Sequence, residues 1–148
     1  MRSIRVVAAV VRRPLPSPDP RGEGTPGTSG DAILITRRLD EPGRRGQWEF
    51  PGGKVERGEG EEQALARELR EELGCEATVG PLLLRHRHRY PELQVELAFY
   101  ACTLAGAEPR AIGVAELAWA HVGTLHGYDF LEADRAVLDE LERRSRPR

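Results

Sequence analysis

The sequence predicts an α+β domain, with helices and strands layered around a mixed sheet. Three observations carry this. Two short apolar runs near the N-terminus read as buried strands. A middle segment has leucines at helical spacing. Strand and helix patterns then mix without a regular βαβ repeat, which argues against a purely parallel sheet. The chain has 148 residues, enough for one domain with its own core, and 1–148 is taken as a single unit.

Residues 4–11 contain VVAAVV and form the first expected strand. Six apolar residues are too few for a membrane span or a signal segment. Residues 14–30 are rich in Pro, Gly and Ser with no apolar period, and read as a flexible insertion. AILIT, 32–36, is a second buried strand. Residues 39–46 read as loop, and QWEFPGG, 47–53, as an extended segment ending in a turn.

Residues 60–73 form the clearest helix. Leu65, Leu69 and Leu73 recur at every fourth position, with Ala66 beside them, giving one apolar face. Gly74 follows, where a left-handed residue ends many helices. Residues 77–89 and 93–104 read as strands joined by a turn at Tyr90, Pro91 and Glu92. Residues 105–113 read as loop, 116–122 around Trp119 as a last strand, and 132–144 as a terminal helix with Val137, Leu138 and Leu141 inward.

A formal net charge of -2 excludes general binding to a nucleic-acid backbone, which needs a basic field. The two cysteines, Cys75 and Cys102, have neither metal-type spacing nor disulfide density, and read as reduced thiols of a cytoplasmic protein. RHRHR, 85–89, puts three arginines on one strand face and two histidines on the other. Two histidines without a third ligand make a weak metal signal, while the arginines could draw in polyphosphate.

The chemistry concentrates on the helix at 60–73. Glu68, Glu71 and Glu72 stand at i, i+3 and i+4, within an arc of roughly 100°. Each like-charge pair there costs on the order of 0.2–0.5 kcal/mol. A divalent cation reverses the sign, and Mg²⁺ prefers a few carboxylates plus water and phosphate oxygens. In isolation such a run is usually a solvated face. Here Gly53, Glu59, Arg67, Glu68, Leu69, Glu71, Glu72 and Gly74 also fit the pattern G-x5-E-x7-R-E-U-x-E-E-x-G-U, where U is bulky aliphatic. Cys75 stands at the final U, a departure small enough to pack in a core.

This pattern resembles the Nudix box. GQWEFPGGKVERGE, the opening RVVAAVV, the ITRR ending at Arg38 and the closing DFLEADRAVL resemble the MutT and CTP pyrophosphohydrolase branch. The resemblance covers most of the chain outside 14–30. It implies an α/β/α sandwich with the box as loop–helix–loop, and a small nucleotide as substrate. It implies metal ligation by the Gly52 carbonyl, Glu68, Glu71 and Glu72, with Mg²⁺ or Mn²⁺ as the cofactor. Glu71 would be a ligand or a water-orienting base, and Arg67 would pair with Glu59. Arg38, Phe50 and Asp134 would contact substrate.

Three positions depart from the pattern. Gly113 stands where relatives carry a further acid, and Glu116 is out of register. Asp134 replaces the base-contacting Asn of MutT, and Leu93 an arginine that closes over the base. The expected activity is Mg²⁺-dependent cleavage of a (d)NTP to NMP and pyrophosphate, with 8-oxo-dGTP, CTP or modified dCTP, or an ADP-ribose-type diphosphate as substrates to weigh. An inactive nucleotide-binding module, motivated by Gly113, is the rival from another class. Monomer and homodimer both stay open, and no membrane is expected as a partner.

Overall fold

The computed structural model describes residues 2–14, 31–39 and 46–145. Apart from Pro14, the expected insertion lies outside the described residues, as do 40–45 of the expected loop.

The strands are β1 (Arg2–Pro14), β2 (Asp31–Arg37), β3 (Trp48–Glu49), β4 (Gly52–Lys54), β5 (Glu76–Arg89), β6 (Leu93–Ala105) and β7 (Glu116–His121). They form one mixed sheet in the order β3-β2-β1-β6-β5, with β4 also on β1 and β7 also on β2. β1 is the centre. It runs parallel to β6 from Arg2↔Leu93 to Val11↔Cys102, and antiparallel to β2 and β4.

Strand alternation divides the core in two. Ala8 and Val10 of β1 face a cluster with Ile33, Phe50, Phe99, Phe130, Leu138 and Leu141. Val7, Ala9 and Val11 face the opposite cluster with Leu34, Leu65, Leu69 and Leu73. Helix α1 (Glu61–Leu73) therefore covers one face, and α3 (Leu138–Ser145) the other. Each fully buried leucine contributes about 1.5–3 kcal/mol. The residue completing the α1 apolar face is Ala64, which is buried; Ala66 is half-buried. Gly74 ends α1 with φ +68°, the left-handed conformation its lack of a Cβ permits.

The expected helix at 132–144 is broken. A single turn, α2 (Glu132–Arg135), precedes α3, and a 3-10 segment, Val122–Gly127, follows β7. The Val137 N–H bonds the Asp134 carbonyl, an i−3 partner that tightens the chain at that point. Asp134, within α2, is buried.

Candidate active site

β4 brings the box to the sheet. Its pairing with β1, Val7↔Gly53 and Ala8↔Gly52, places the two glycines beneath α1. A Cβ on Gly53 would lie 2.4 Å from the Glu68 carboxyl carbon, and one on Gly52 would lie 2.0 Å from the Val7 carbonyl oxygen. At Gly52 the obstacle is the fixed backbone of β1, and there only glycine fits; at Gly53 it is the end of the Glu68 side chain.

Arg67 ties that loop down. Its Nε and Nη2 donate to the two Glu59 oxygens at 2.7 and 3.0 Å, and Nη2 also donates to the Lys54 carbonyl at 3.1 Å. The hydrogen bond from Arg67, with one from the Glu56 N–H, holds Glu59 down to about 2. Arg67 also reaches the carboxylates of its own helix: Nη1 donates to Glu68 at 2.9 Å and to Glu71 at 3.2 Å. A long, forked side chain spans the arc that separates the Cβ atoms.

The three helix carboxylates are not equivalent. Glu71 points outward and is 60% exposed. Glu68 and Glu72 are half-buried. Burial raises Glu68 above the usual carboxylate range. Burial, then the charges of Glu49 and Glu68, push Glu72 up to about 8, opposed by the Gly52 N–H. Glu72 Oε2 is buried and has no hydrogen-bond partner among the described residues. Buried, mutually repelling carboxylates with an orphaned oxygen beside a glycine backbone fit a hard divalent cation. Among the described residues the group whose ligand atoms already lie within 4.8 Å of one another is His126, Asp139 and Glu142, not the box carboxylates. It lies outside the box, and His126 is already bonded to Asp139 at 2.9 Å.

Glu49 belongs to this site, and the sequence reading passed over it. Burial raises it to about 7, against the attraction of Arg38, whose Nη1 lies 3.4 Å from Oε2. Glu49 sits in the QWEFPGG segment, but a lone acid on a two-residue strand carries no spacing signal.

Arg38 therefore meets a carboxylate rather than open solvent. Phe50 is 2% exposed, its ring stacked on Phe130 at 5.5 Å between centroids and edge-on to Phe99 at 5.8 Å. Its backbone N–H donates to Asp134 Oδ2 at 3.0 Å. Asp134 is 4% exposed, and burial, then the Glu49 charge, raises it to about 8. It is not the cap of α2, whose N-cap position is Leu131. Gly113 does lie beside the carboxylates: its N–H donates to the Glu72 carbonyl at 3.0 Å, and a Cβ there would sit 3.6 Å from Glu72 Cγ. Glu116 is instead paired with Arg37 at 2.7 Å. Two of the RHRHR arginines are engaged as well, Arg85 with Glu61 and Arg87 with Glu96, so steering of polyphosphate by them is not supported.

A sheet between helices, with a glycine loop beneath the glutamates of α1, is the arrangement of a phosphoanhydride hydrolase. The family model of the NUDIX domain matches residues 28–140. The chain is 40% identical over 118 residues to the "Putative 8-oxo-dGTP diphosphatase 2" of Mycobacterium tuberculosis, covering 77% of this chain and 82% of that protein. It is 42% identical over 87 residues to the "CTP pyrophosphohydrolase" of Escherichia coli, covering 59% and 53%. The solution structure of the E. coli ORF135 protein superposes with a TM-score of 0.72 at 33% identity, over 99% of this chain and 95% of that one. The chain belongs to the Nudix family. No helix among the described residues is long and apolar enough to cross a membrane.

Proposed function

We propose that the chain hydrolyses a nucleoside triphosphate to the monophosphate and pyrophosphate, with Mg²⁺ or Mn²⁺ held by Glu68, Glu71, Glu72 and the Gly52 carbonyl. The carrying observation is the buried, unpartnered Glu72 oxygen in a cluster with Glu49 and Glu68. When bound, the cation neutralises the polyphosphate and activates water for attack.

The remaining work falls to the side chains. Arg67 fixes the loop through Glu59 and the Lys54 carbonyl, and steadies Glu68 and Glu71. Glu71, facing solvent, orients the attacking water. Arg38 and Glu49 link the metal carboxylates to Asp134, which reads the edge of the base. Phe50 supports the base pocket from below with its ring and fixes Asp134 with its N–H. The names of the relatives point to guanine-type and cytosine-type substrates. Both bases carry an amino group that a carboxyl oxygen can accept from, whereas uracil carries none. We infer a cytoplasmic enzyme, a single domain over 1–148 that works on small molecules, since that is where such a substrate pool is found.

The test is kcat/KM for the eight common nucleotides and 8-oxo-dGTP with Mg²⁺, in the wild type and Asp134→Ala. Guanine or cytosine substrates should lead, and the variant should lose that ranking more than it loses rate on the poorest substrate. Uracil or thymine in the lead would remove Asp134 from base reading. Gly113 motivates the second reading, a binder without turnover. Nucleotide binding with no pyrophosphate from any substrate would establish it.

A further inference from the structure

Helix α1 begins without a side-chain cap, because Gly60 occupies the N-cap position. Its first residue, Glu61, turns onto the sheet instead. Arg85 of β5 reaches the carboxylate with both terminal nitrogens, at 2.9 and 2.8 Å. Tyr100 of β6 donates its hydroxyl at 2.5 Å, and Arg5 of β1 donates at 3.2 Å. Three strands thus converge on one acid at the start of the helix.

Glu61, Glu68 and Glu72 lie at i, i+7 and i+11. At about 100° per residue they fall on one stripe, within roughly 20° on either side of Glu61. Whatever fixes the rotation of α1 at Glu61 therefore fixes the direction of the other two. The Glu68 carboxyl already lies over Gly53, in the space that a Cβ there would take. A rigid helix carries a rotation at its first turn undiminished along its length.

We propose that Glu61, Tyr100 and Arg85 are positioning residues for metal binding: their hub sets the rotation of α1, and so aims Glu68 and Glu72 at the Gly52–Gly53 backbone. This rests on Glu68 and Glu72 being the metal carboxylates. Arg85, which the sequence offered as a lure for polyphosphate, acts through the helix instead.

The experiment measures Mn²⁺ binding without nucleotide, by electron paramagnetic resonance, together with melting temperature, kcat and KM. The proteins are wild type, Tyr100→Phe, Arg85→Ala, Arg85→Lys and Glu72→Gln. Tyr100→Phe and Arg85→Ala should weaken Mn²⁺ binding about five- to tenfold, towards the loss typical of outer-shell partners. Nucleotide KM at saturating metal should stay within about twofold, excess metal should restore kcat, and Arg85→Lys, which keeps the charge without the fork, should recover part of the affinity. A lowered melting temperature with unchanged Mn²⁺ affinity in both variants would make the hub a plain structural anchor and overturn the proposal. If Glu72→Gln also binds Mn²⁺ like wild type, the metal assignment fails and the proposal with it. If Glu72→Gln loses the metal while both hub variants keep it, the proposal alone fails.

Discussion

The Phe50 N–H donates to a carboxylate oxygen of Asp134 at 3.0 Å, so the loop that leads into the box is fastened to the one-turn helix near the C-terminus. The two residues lie far apart in sequence, and the acid that joins them is buried. Burial, then the Glu49 charge, raises Asp134 to about 8 in the folded chain, from an ordinary value of 3.8. Between those values the folded state holds a proton that the unfolded state has released. Stability from this group therefore falls as pH rises through that window. Asp134→Asn keeps an acceptor for Phe50 but removes the titration. Its stability relative to wild type should rise from pH 5 to pH 8 by on the order of 1 kcal/mol per pH unit, read from urea melts. A difference independent of pH would mean Asp134 ionises normally.

Glu72→Gln should lower turnover at least about 100-fold. It should leave the metal-free protein at pH 8 no less stable than wild type. Gln preserves shape, and it removes a charge that burial, Glu49 and Glu68 all oppose. Wild-type turnover that survives excess chelator would defeat the metal role altogether.

Glu49→Gln tests a residue that no spacing rule singles out. Glu49 is the largest charge opposing ionisation of both Glu72 and Asp134. Its loss should shrink the rise in melting temperature produced by Mg²⁺, because the cation gives up one source of attraction. The broken contact with Arg38 is partly exposed and costs about 0–1 kcal/mol. An undiminished Mg²⁺ shift would place Glu49 outside the metal field.

Gly113→Glu should raise turnover, since position 113 lies against Glu72 and a carboxylate there adds an oxygen ligand. Its Cβ would sit 3.3 Å from Glu72 Cα, so the loop must give slightly. Gly113→Ala imposes the same crowding without the acid. Equal rates in the two variants would show that the added side chain points away from the metal carboxylates.

The parts of this molecule legible in the sequence are those written as local periodicity or fixed spacing. Leu65, Leu69 and Leu73 announce α1, and the long apolar alternation announces β6. The Glu59–Arg67 pair follows from the box resemblance. What the sequence left open depends on contacts between distant segments. Asp134 is held inward by the Phe50 N–H, a contact across 84 residues, and the helix expected at 132–144 is broken after Arg135. Glu49 matters because β3 and α1 bring it near Glu72. Arg85 reads as an exposed cation until the fold sets Glu61 beside it. None of these has a period to detect.

The central strand carries a consequence for biogenesis. β1 is made before its parallel partner β6, which lies about 90 residues downstream. Until those residues leave the ribosome, VVAAVV has no neighbour on that side and stays an adhesive apolar segment. Pairing of such separation also slows folding, because the intervening chain must be confined before the contact rewards it. Nascent chains halted before residue 93 should therefore be protease-sensitive and captured by chaperones, whereas chains in which Phe130, Leu138 and Leu141 have also cleared the tunnel acquire the shielded core.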